Sequence, residues 1–498
     1  MTVCEFCGTT VGRGDKSVED HGKVADLLET DSIVHRGSTG SYRGKPFECI
    51  GRVQYQHAAG GVWDEWYLRF PGDRMAWLAE AQGQLHLTFE RPIRKKNPLP
   101  DFESIDVGQR IEHHGTAMTV VEKGTAIAKS AEGEIPWVFV PGKDHIYIDL
   151  KGDAGWFATF DYGASPTTYV GRTVTADQLE IQTPAWIDAQ PPRPSKVSAV
   201  HLNCPKCAGP LSLFAPDQAL RVVCPHCSAS LDVADGKLKL LQTLKQKEIH
   251  PVIPLGSSGV LRGVDYTVIG FMERFIRCAG TTYPWTEYLL HNPDSGFAWL
   301  IRSERHWTLA IGVSPHEATR SDMHATHDGI RYRLFEKGTA HVRTVYGEFY
   351  WKVEIGETAW VADYIRPPFM LSFERSYAGN TEEIQVSRAE HVPPEEIEKA
   401  FGIKELLRPW GVGPVQPSPP VHPGVWLSWA GFLAFLFVIH IAFQRSPLSA
   451  TPDPDPWMLF YGVLFVSLIP GGILAYKYSF EVSRWKDSDY SPYASSDE

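Results

Sequence analysis

The sequence predicts a mainly β protein: two tandem β-rich modules of sandwich or bent-sheet form, a small cysteine-knuckle ribbon between them, and a C-terminal pair of apolar helices. Three observations predict it. An ordered set of short motifs occurs twice, cysteines fall in CxxC pairs, and two long uncharged stretches lie near the end of the chain. With 498 residues the chain has room for roughly three domains. Sixteen Trp and 43 Gly favour pleated, half-buried strands punctuated by turns. The net charge of −11, from 48 basic and 59 acidic residues without a long block of either sign, disfavours broad nucleic-acid binding.

The duplication is read from motif order. Gly37-Ser38-Thr39-Gly40 with Arg43-Gly44 returns as Gly256-Ser257-Ser258-Gly259 with Arg262-Gly263, and Ile50-Gly51 as Ile269-Gly270. Trp63-Asp64-Glu65 returns as Trp285-Thr286-Glu287, and Ala76-Trp77-Leu78 as Ala298-Trp299-Leu300. Glu122-Lys123-Gly124-Thr125-Ala126 recurs unchanged as Glu336-Lys337-Gly338-Thr339-Ala340. Gly133-Glu134 and Trp137 match Gly347-Glu348 and Trp351. The offset stays between 214 and 222 throughout, so one module is used twice, over residues 30–185 and 250–405.

Within each copy, short runs rich in β-branched and aromatic residues, such as Tyr266 to Ile269 and Phe349 to Val353, alternate with turn formers such as Asn292 to Gly296. The clear helical pattern is Pro393 to Gly402, which opens on prolines, carries acids in its first turn and stops at Gly. A weaker counterpart begins at Thr175.

Between the copies, over residues 198–236, Cys204-Pro205-Lys206-Cys207 and Cys224-Pro225-His226-Cys227 give C-x2-C-x16-C-x2-C. Each CxxC bends around one cation, and two complete a tetrahedral Cys4 shell, so the spacing predicts structural zinc. A redox dithiol is the alternative; it needs one CxxC and not two matched pairs. Cys4 and Cys7, in an N-terminal segment over residues 1–15, look like half of a second ribbon. They either take metal together with cysteines of another chain or bind none. Cys49 and Cys278 lie in predicted strands and read as core. The first residues have no apolar export core, which fits reduced thiols in a reducing compartment.

A proline-rich linker over residues 406–424 leads to two uncharged runs, residues 425–443 and 457–476, followed by a tail over residues 477–498. The first run, as a helix, would be about 28 Å long, close to a hydrocarbon core. Trp426, Trp429, Trp457, Tyr461, Tyr476 and Tyr478 stand near the ends as an aromatic belt would. The reading is a two-span hairpin in a lipid bilayer, with buried core helices as the alternative. Lys404, Arg408, Lys477, Arg484 and Lys486 on the outer flanks place both termini in the cytoplasm. His440 and Pro470-Gly471-Gly472 raise a conduction path, against the plainer account of a packing kink.

No G-x-S-x-G, P-loop, dinucleotide fingerprint or HExxH occurs. The acids present in both copies, Glu65/Glu287, Glu122/Glu336 and Glu134/Glu348, read either as paired carboxylates or as structural groups, with Glu122 to Thr125 in a turn between strands. Trp63, Trp77, Trp285 and Trp299, with Glu65 and Glu287, are the residues expected to line a groove if the modules hold a ligand; core packing is the alternative.

The pattern G-S-x-G-x-x-R-G, then I-G, W-x-E, A-W-L and E-K-G, together with Phe480 to Tyr490 after the helices, resembles the bacterial domain of unknown function DUF4178. The resemblance implies a bacterial protein of the inner membrane, of undefined biochemical role, with a link to envelope stress. The expected function is a non-enzymatic, membrane-tethered interaction or sensing scaffold with a protein partner and no nucleic acid. The alternatives are a ligand-binding or hydrolytic β domain using the repeated Glu and Trp residues, and a nucleic-acid reader using the ribbon.

Overall fold

The computed structural model describes residues 2–3, 9–13, 18–23, 32–184 apart from 59, 82–83, 94–97 and 164, 200–409 apart from 216–218, 235–236, 247–248 and 279, 413–416, 423–444 and 456–485. Cys4 and Cys7 lie outside the described residues.

Each copy of the module is a closed eight-stranded antiparallel barrel. The first comprises β1 (Lys45–Gln56), β2 (Val62–Phe70), β3 (Arg74–Ala81), β4 (Gln84–Arg91), β5 (Thr116–Glu134), β6 (Asp144–Gly152), β7 (Trp156–Asp161) and β8 (Thr167–Val174). Two four-stranded meanders join at both edges, so the order round the barrel is β1-β2-β3-β4-β8-β7-β6-β5, with β5 returning to β1. The second barrel repeats this order with β9 (Val264–Cys278), β10 (Thr281–Asn292), β11 (Gly296–Ser303), β12 (His306–Val313), β13 (Ile330–Phe349), β14 (Thr358–Arg366), β15 (Phe369–Ala378) and β16 (Thr381–Val392). Its ends meet where β13 pairs with β9.

Closure replaces the expected sandwich or bent sheet, and the repeated glycines give the reason. Gly51 on β1 faces Gly133 on β5, and Gly270 on β9 faces Gly347 on β13. A Cβ on Gly51 would come within 1.9 Å of the Glu134 carbonyl oxygen, and one on Gly270 within 2.6 Å of that of Glu348. Gly133 and Gly347 also carry φ of +68° and +87°, a left-handed conformation that favours glycine. These residues let the long strands cross closely at the seam, as barrel closure requires.

Each barrel is itself built twice over. All four meanders enter through a two-residue hairpin with positive φ at both central residues: Arg43-Gly44, His114-Gly115, Arg262-Gly263 and Asp328-Gly329. Each entry strand then carries a bulge, at 49/51, 120/122, 268/270 and 334/336. Glu122 and Glu336 therefore stand at bulges inside β5 and β13, and not in a turn between strands.

Two short helices close the barrels: α1 (Ala176–Leu179), entered through a capping box at Thr175, and α2 (Pro394–Phe401), stopped by Gly402 at φ +63°. The barrels share a core in which Ile105, Val120, Leu150 and Phe160 of the first pack with Tyr332, Tyr364, Leu371 and Phe373 of the second. A short pairing of β5 with β16, Glu122 opposite Glu383, crosses the same boundary. Beside it, Thr119 Oγ1 lies 3.0 Å from Nδ1 of buried His316.

The ribbon docks on the second barrel. Arg221–Val223 pairs with β13 as Val222 opposite Glu348 and Val223 opposite Gly347. Thr2–Val3 pairs with β5 in the equivalent register, Thr2 opposite Glu134 and Val3 opposite Gly133. The residues just before Cys4 thus hold the place on barrel one that Val222 and Val223, just before Cys224, hold on barrel two.

Two further helices, α3 (Pro423–Gln444) and α4 (Pro456–Trp485), follow. Among the described residues no single helix is long and apolar enough to cross a membrane. The apolar part of α3 is Leu427–Ala442, and α4 divides into Phe460–Leu468 and Pro470–Ser479 at a 48° bend. Pro470 accounts for the bend, since it lacks the amide hydrogen for the helical ladder and its ring displaces the preceding turn. The bent pair together has the length and composition of one broken span. The expected pair of spans is thus reduced to a short apolar helix followed by this broken one.

Candidate functional site

Two sites emerge, a thiol cluster in the ribbon and the acid-lined interior of the barrels. In the ribbon, the thiol sulfurs of Cys204, Cys207, Cys224 and Cys227 lie within 4.8 Å of one another. Sγ of Cys204 is 3.8 Å from that of Cys227, and Sγ of Cys207 is 3.9 Å from that of Cys224. A tetrahedral ion with bonds of about 2.3 Å sets its sulfurs about 3.8 Å apart. The two knuckles share one backbone plan. Ala208 N donates to the Cys204 carbonyl at 2.8 Å and Ser228 N to that of Cys224 at 2.9 Å, with φ of +57° and +54° at Ala208 and Ser228. Gly209 N donates to Cys207 Sγ at 3.4 Å, a contact that spreads thiolate charge. The donor set fits a metal ion and is compatible with zinc. Four protein thiols would fill the shell of such an ion.

Glu348 ties the ribbon to its barrel. Its Oε1 accepts from Phe214 N at 2.7 Å and its Oε2 from Ala215 N at 2.9 Å. Burial pushes its carboxyl up to about 7, against the opposing effect of those two amides. Its repeat partner Glu134 is exposed.

Of the residues expected to form a groove, Trp63, Glu65, Trp285, Glu287 and Trp299 line one half-open cavity of about 3020 Å³ that takes in both barrels and reaches residues of the ribbon and the linker. Trp77 is buried in the wall, its ring 4.5 Å from Tyr67 and 5.1 Å from Trp137. Trp299 meets Trp351 at 5.9 Å in the corresponding place. The paired motifs are also paired in geometry. Trp63 Nε1 donates to Glu65 Oε1 at 3.1 Å, and Trp285 Nε1 to Glu287 Oε1 at 2.6 Å.

Register adds two acids per barrel that motif matching missed. Asp149 lies opposite Glu122 and accepts from Thr159 Oγ1 at 2.7 Å. Asp363 lies opposite Glu336 and accepts from Ser372 Oγ at 2.6 Å. The two aspartates stand at the same 214-residue offset as the two glutamates, a signal present in the sequence. Asp161 faces Tyr147, and Glu374 faces Val361, at matching positions of β7 and β15. Each barrel thus holds Glu, Glu, Asp and a fourth acid.

These groups are costly to ionise where they stand. Burial, then the Glu122 charge, pushes Asp149 up to about 8, while Thr159 opposes the shift. Burial raises Asp363 to about 6, and burial followed by Glu122 raises Glu383 to about 7. Burial raises Glu65, Glu287 and Glu336 as well. Glu122 is held by His57 Nε2 at 2.8 Å and accepts from the Tyr147 hydroxyl. In the second barrel Arg274 reaches Glu287 at 3.4 Å and Glu374 at 2.8 Å.

Fold and site define a double-barrel protein with acid- and aromatic-lined interiors and a tetrathiol ribbon. The domain of unknown function DUF4178 matches residues 35–176 and 254–394, once on each barrel. The chain belongs to that family. Among curated proteins none matches the chain.

Proposed function

We propose that the chain is a non-enzymatic binding and sensing module whose first barrel interior receives a small ligand, held at a bacterial inner membrane by its C-terminal helices. The observation that carries the reading is the duplicated Trp–Glu pair, Trp63 with Glu65 and Trp285 with Glu287, lining the cavity. Closed eight-stranded barrels are of a size to hold one small ligand, and aromatic walls with a few polar groups suit recognition. Structural zinc in the ribbon braces the second barrel. The tether rests on α3 and α4, which leave large apolar side chains exposed, among them Leu427, Val438 and Phe465. In this reading both helices enter the bilayer and both termini stay in the cytoplasm, where the four thiols remain reduced. A protein partner would read the bound state.

The test is a thermal-shift screen of small molecules on the full chain in nanodiscs. Compounds that stabilise the wild type are expected to lose their effect in Ala79→Ile, which fills the first lumen opposite Glu65 while circular dichroism stays unchanged. A screen without stabilising compounds, or stabilisation that persists in Ala79→Ile, contradicts the reading.

A hydrolytic reading draws on Asp149, held neutral beside Glu122 as a general acid must be. It predicts turnover of glycoside or ester substrates that Asp149→Asn abolishes.

A further inference from the structure

We propose that the first barrel binds an organic cation, a ligand bearing a guanidinium or primary ammonium group seated against Glu65, in the role that Arg274 fills in the second barrel. The inference rests on the reading of the first lumen as a binding site and names its ligand class.

The two lumens carry matched acids, yet only one carries an internal guanidinium among them. On β9, Arg274 lies opposite Trp285; on β1 the residue opposite Trp63 is Tyr55. Arg274 is buried, forks onto Glu374 at 2.8 and 3.0 Å, reaches Glu287 at 3.4 Å and lies 5.9 Å from the Trp285 ring. The second copy therefore shows what these Trp and Glu positions hold when the chain supplies the occupant.

In the first barrel the described basic groups near these acids are an ammonium and imidazoles, and not a guanidinium. His57 is on Glu122 at 2.8 Å, Lys151 Nζ donates to Gln84 at 3.1 Å, and His145, packed on Tyr55 and Tyr147, has Nδ1 3.9 Å from Asp161. Burial raises the Glu65 carboxyl, and His145 lowers it against that effect. Among the described residues, the hydrogen bond to Glu65 is the one from the Trp63 indole. A buried carboxylate of this kind needs a cation or a proton.

Space is available beside it. Ala79 stands opposite Glu65 where Ile301 stands opposite Glu287. The Tyr55 ring stacks on Trp63 at 5.3 Å and 26°, which keeps it on the wall. Trp63 and Tyr147, 5.8 Å apart, stand beside it as aromatic rings of the kind a cation approaches, with Trp63 stacked on Tyr55 and Tyr147 on His145. Further along the same cavity, where the barrels meet beside Gly124, Thr381 Oγ1 is buried (3% exposed) and makes no hydrogen bond among the described residues, an unused polar contact for the rest of a ligand.

The experiment is isothermal titration of the full chain in nanodiscs with n-butylguanidinium and its neutral isostere n-butylurea. The guanidinium is expected to bind one per chain at least tenfold more tightly than the urea, and Glu65→Gln to weaken it at least tenfold. Should Glu65→Gln fail to fold, Ala79→Ile gives the second variant, and it is expected to abolish binding. Equal affinity for the two compounds overturns the charge assignment and leaves the lumen reading standing. Guanidinium binding that survives whichever of the two variants folds overturns the location. No binding of n-butylguanidinium at millimolar concentration overturns the inference itself, while the lumen reading answers separately to the compound screen.

Discussion

The guanidinium of Arg274 is forked onto the carboxylate of Glu374 inside the second barrel, Nη2 to Oε1 at 2.8 Å and Nη1 to Oε2 at 3.0 Å. Glu287, 3.4 Å from the same guanidinium, shares it. Removing one partner of a buried ion pair leaves an uncompensated charge and costs about 3–5 kcal/mol. Arg274→Ala is expected to lose stability of that order at pH 8 in thermal unfolding. An unchanged midpoint would mean that the pair contributes nothing net.

The interior acids set a pH dependence. Asp149 at about 8 and Glu383 and Glu348 at about 7 lie above ordinary carboxyl values, chiefly through burial. The folded chain therefore holds more protons than the unfolded one, and stability falls as pH rises through these values. His57, raised by Glu122 despite burial, acts in the same direction. His86 at about 3 and His113 at about 4 are held low by burial and oppose the trend only below the ordinary histidine value of about 6.5. These two histidines drop out between pH 6.5 and 8, where the melting temperature should fall and Asp149→Asn should flatten the slope; Lys151, lowered by burial, opposes the trend from the alkaline side.

The ribbon is expected to carry one tightly bound metal per chain by elemental analysis of purified protein. Cys224→Ser should abolish that metal and lower the melting temperature by about 5 °C or more. Full metal content in the variant would place the ion elsewhere.

Glu348 holds two ribbon amides that would otherwise be buried without partners. Glu348→Ala should cost about 1–3 kcal/mol and speed limited proteolysis between residues 209 and 221. Cleavage at the wild-type rate would show that the Phe214 and Ala215 contacts do not hold the ribbon.

Much of this was legible in the sequence. The repeated Gly51/Gly270 and Gly133/Gly347 mark the seams, and Trp63/Trp285 and Glu65/Glu287 mark the cavity, because each needs one residue type at one place in both copies. The spacing of the four ribbon cysteines carried the thiol cluster in the same way. Barrel closure was not legible, since it depends on β5 returning to β1, a long-range pairing that leaves no periodicity of its own. Arg274 escaped because its counterpart is Tyr55; motif matching finds what two copies share, and the distinction between the lumens lies where they differ. The kink at Pro470-Gly471-Gly472 was legible in the residues, and the second apolar run bends there by 48°.

The most direct test of the account is the number of cations each chain takes up when the internal one is removed. Native mass spectrometry of the full chain with n-butylguanidinium should show one bound per wild-type chain and two per Arg274→Ala chain, the second occupying the space that Arg274 vacates. A count that stays at one, or is zero in both, would contradict the claim that the two barrels are equivalent binding chambers of which one is filled from within.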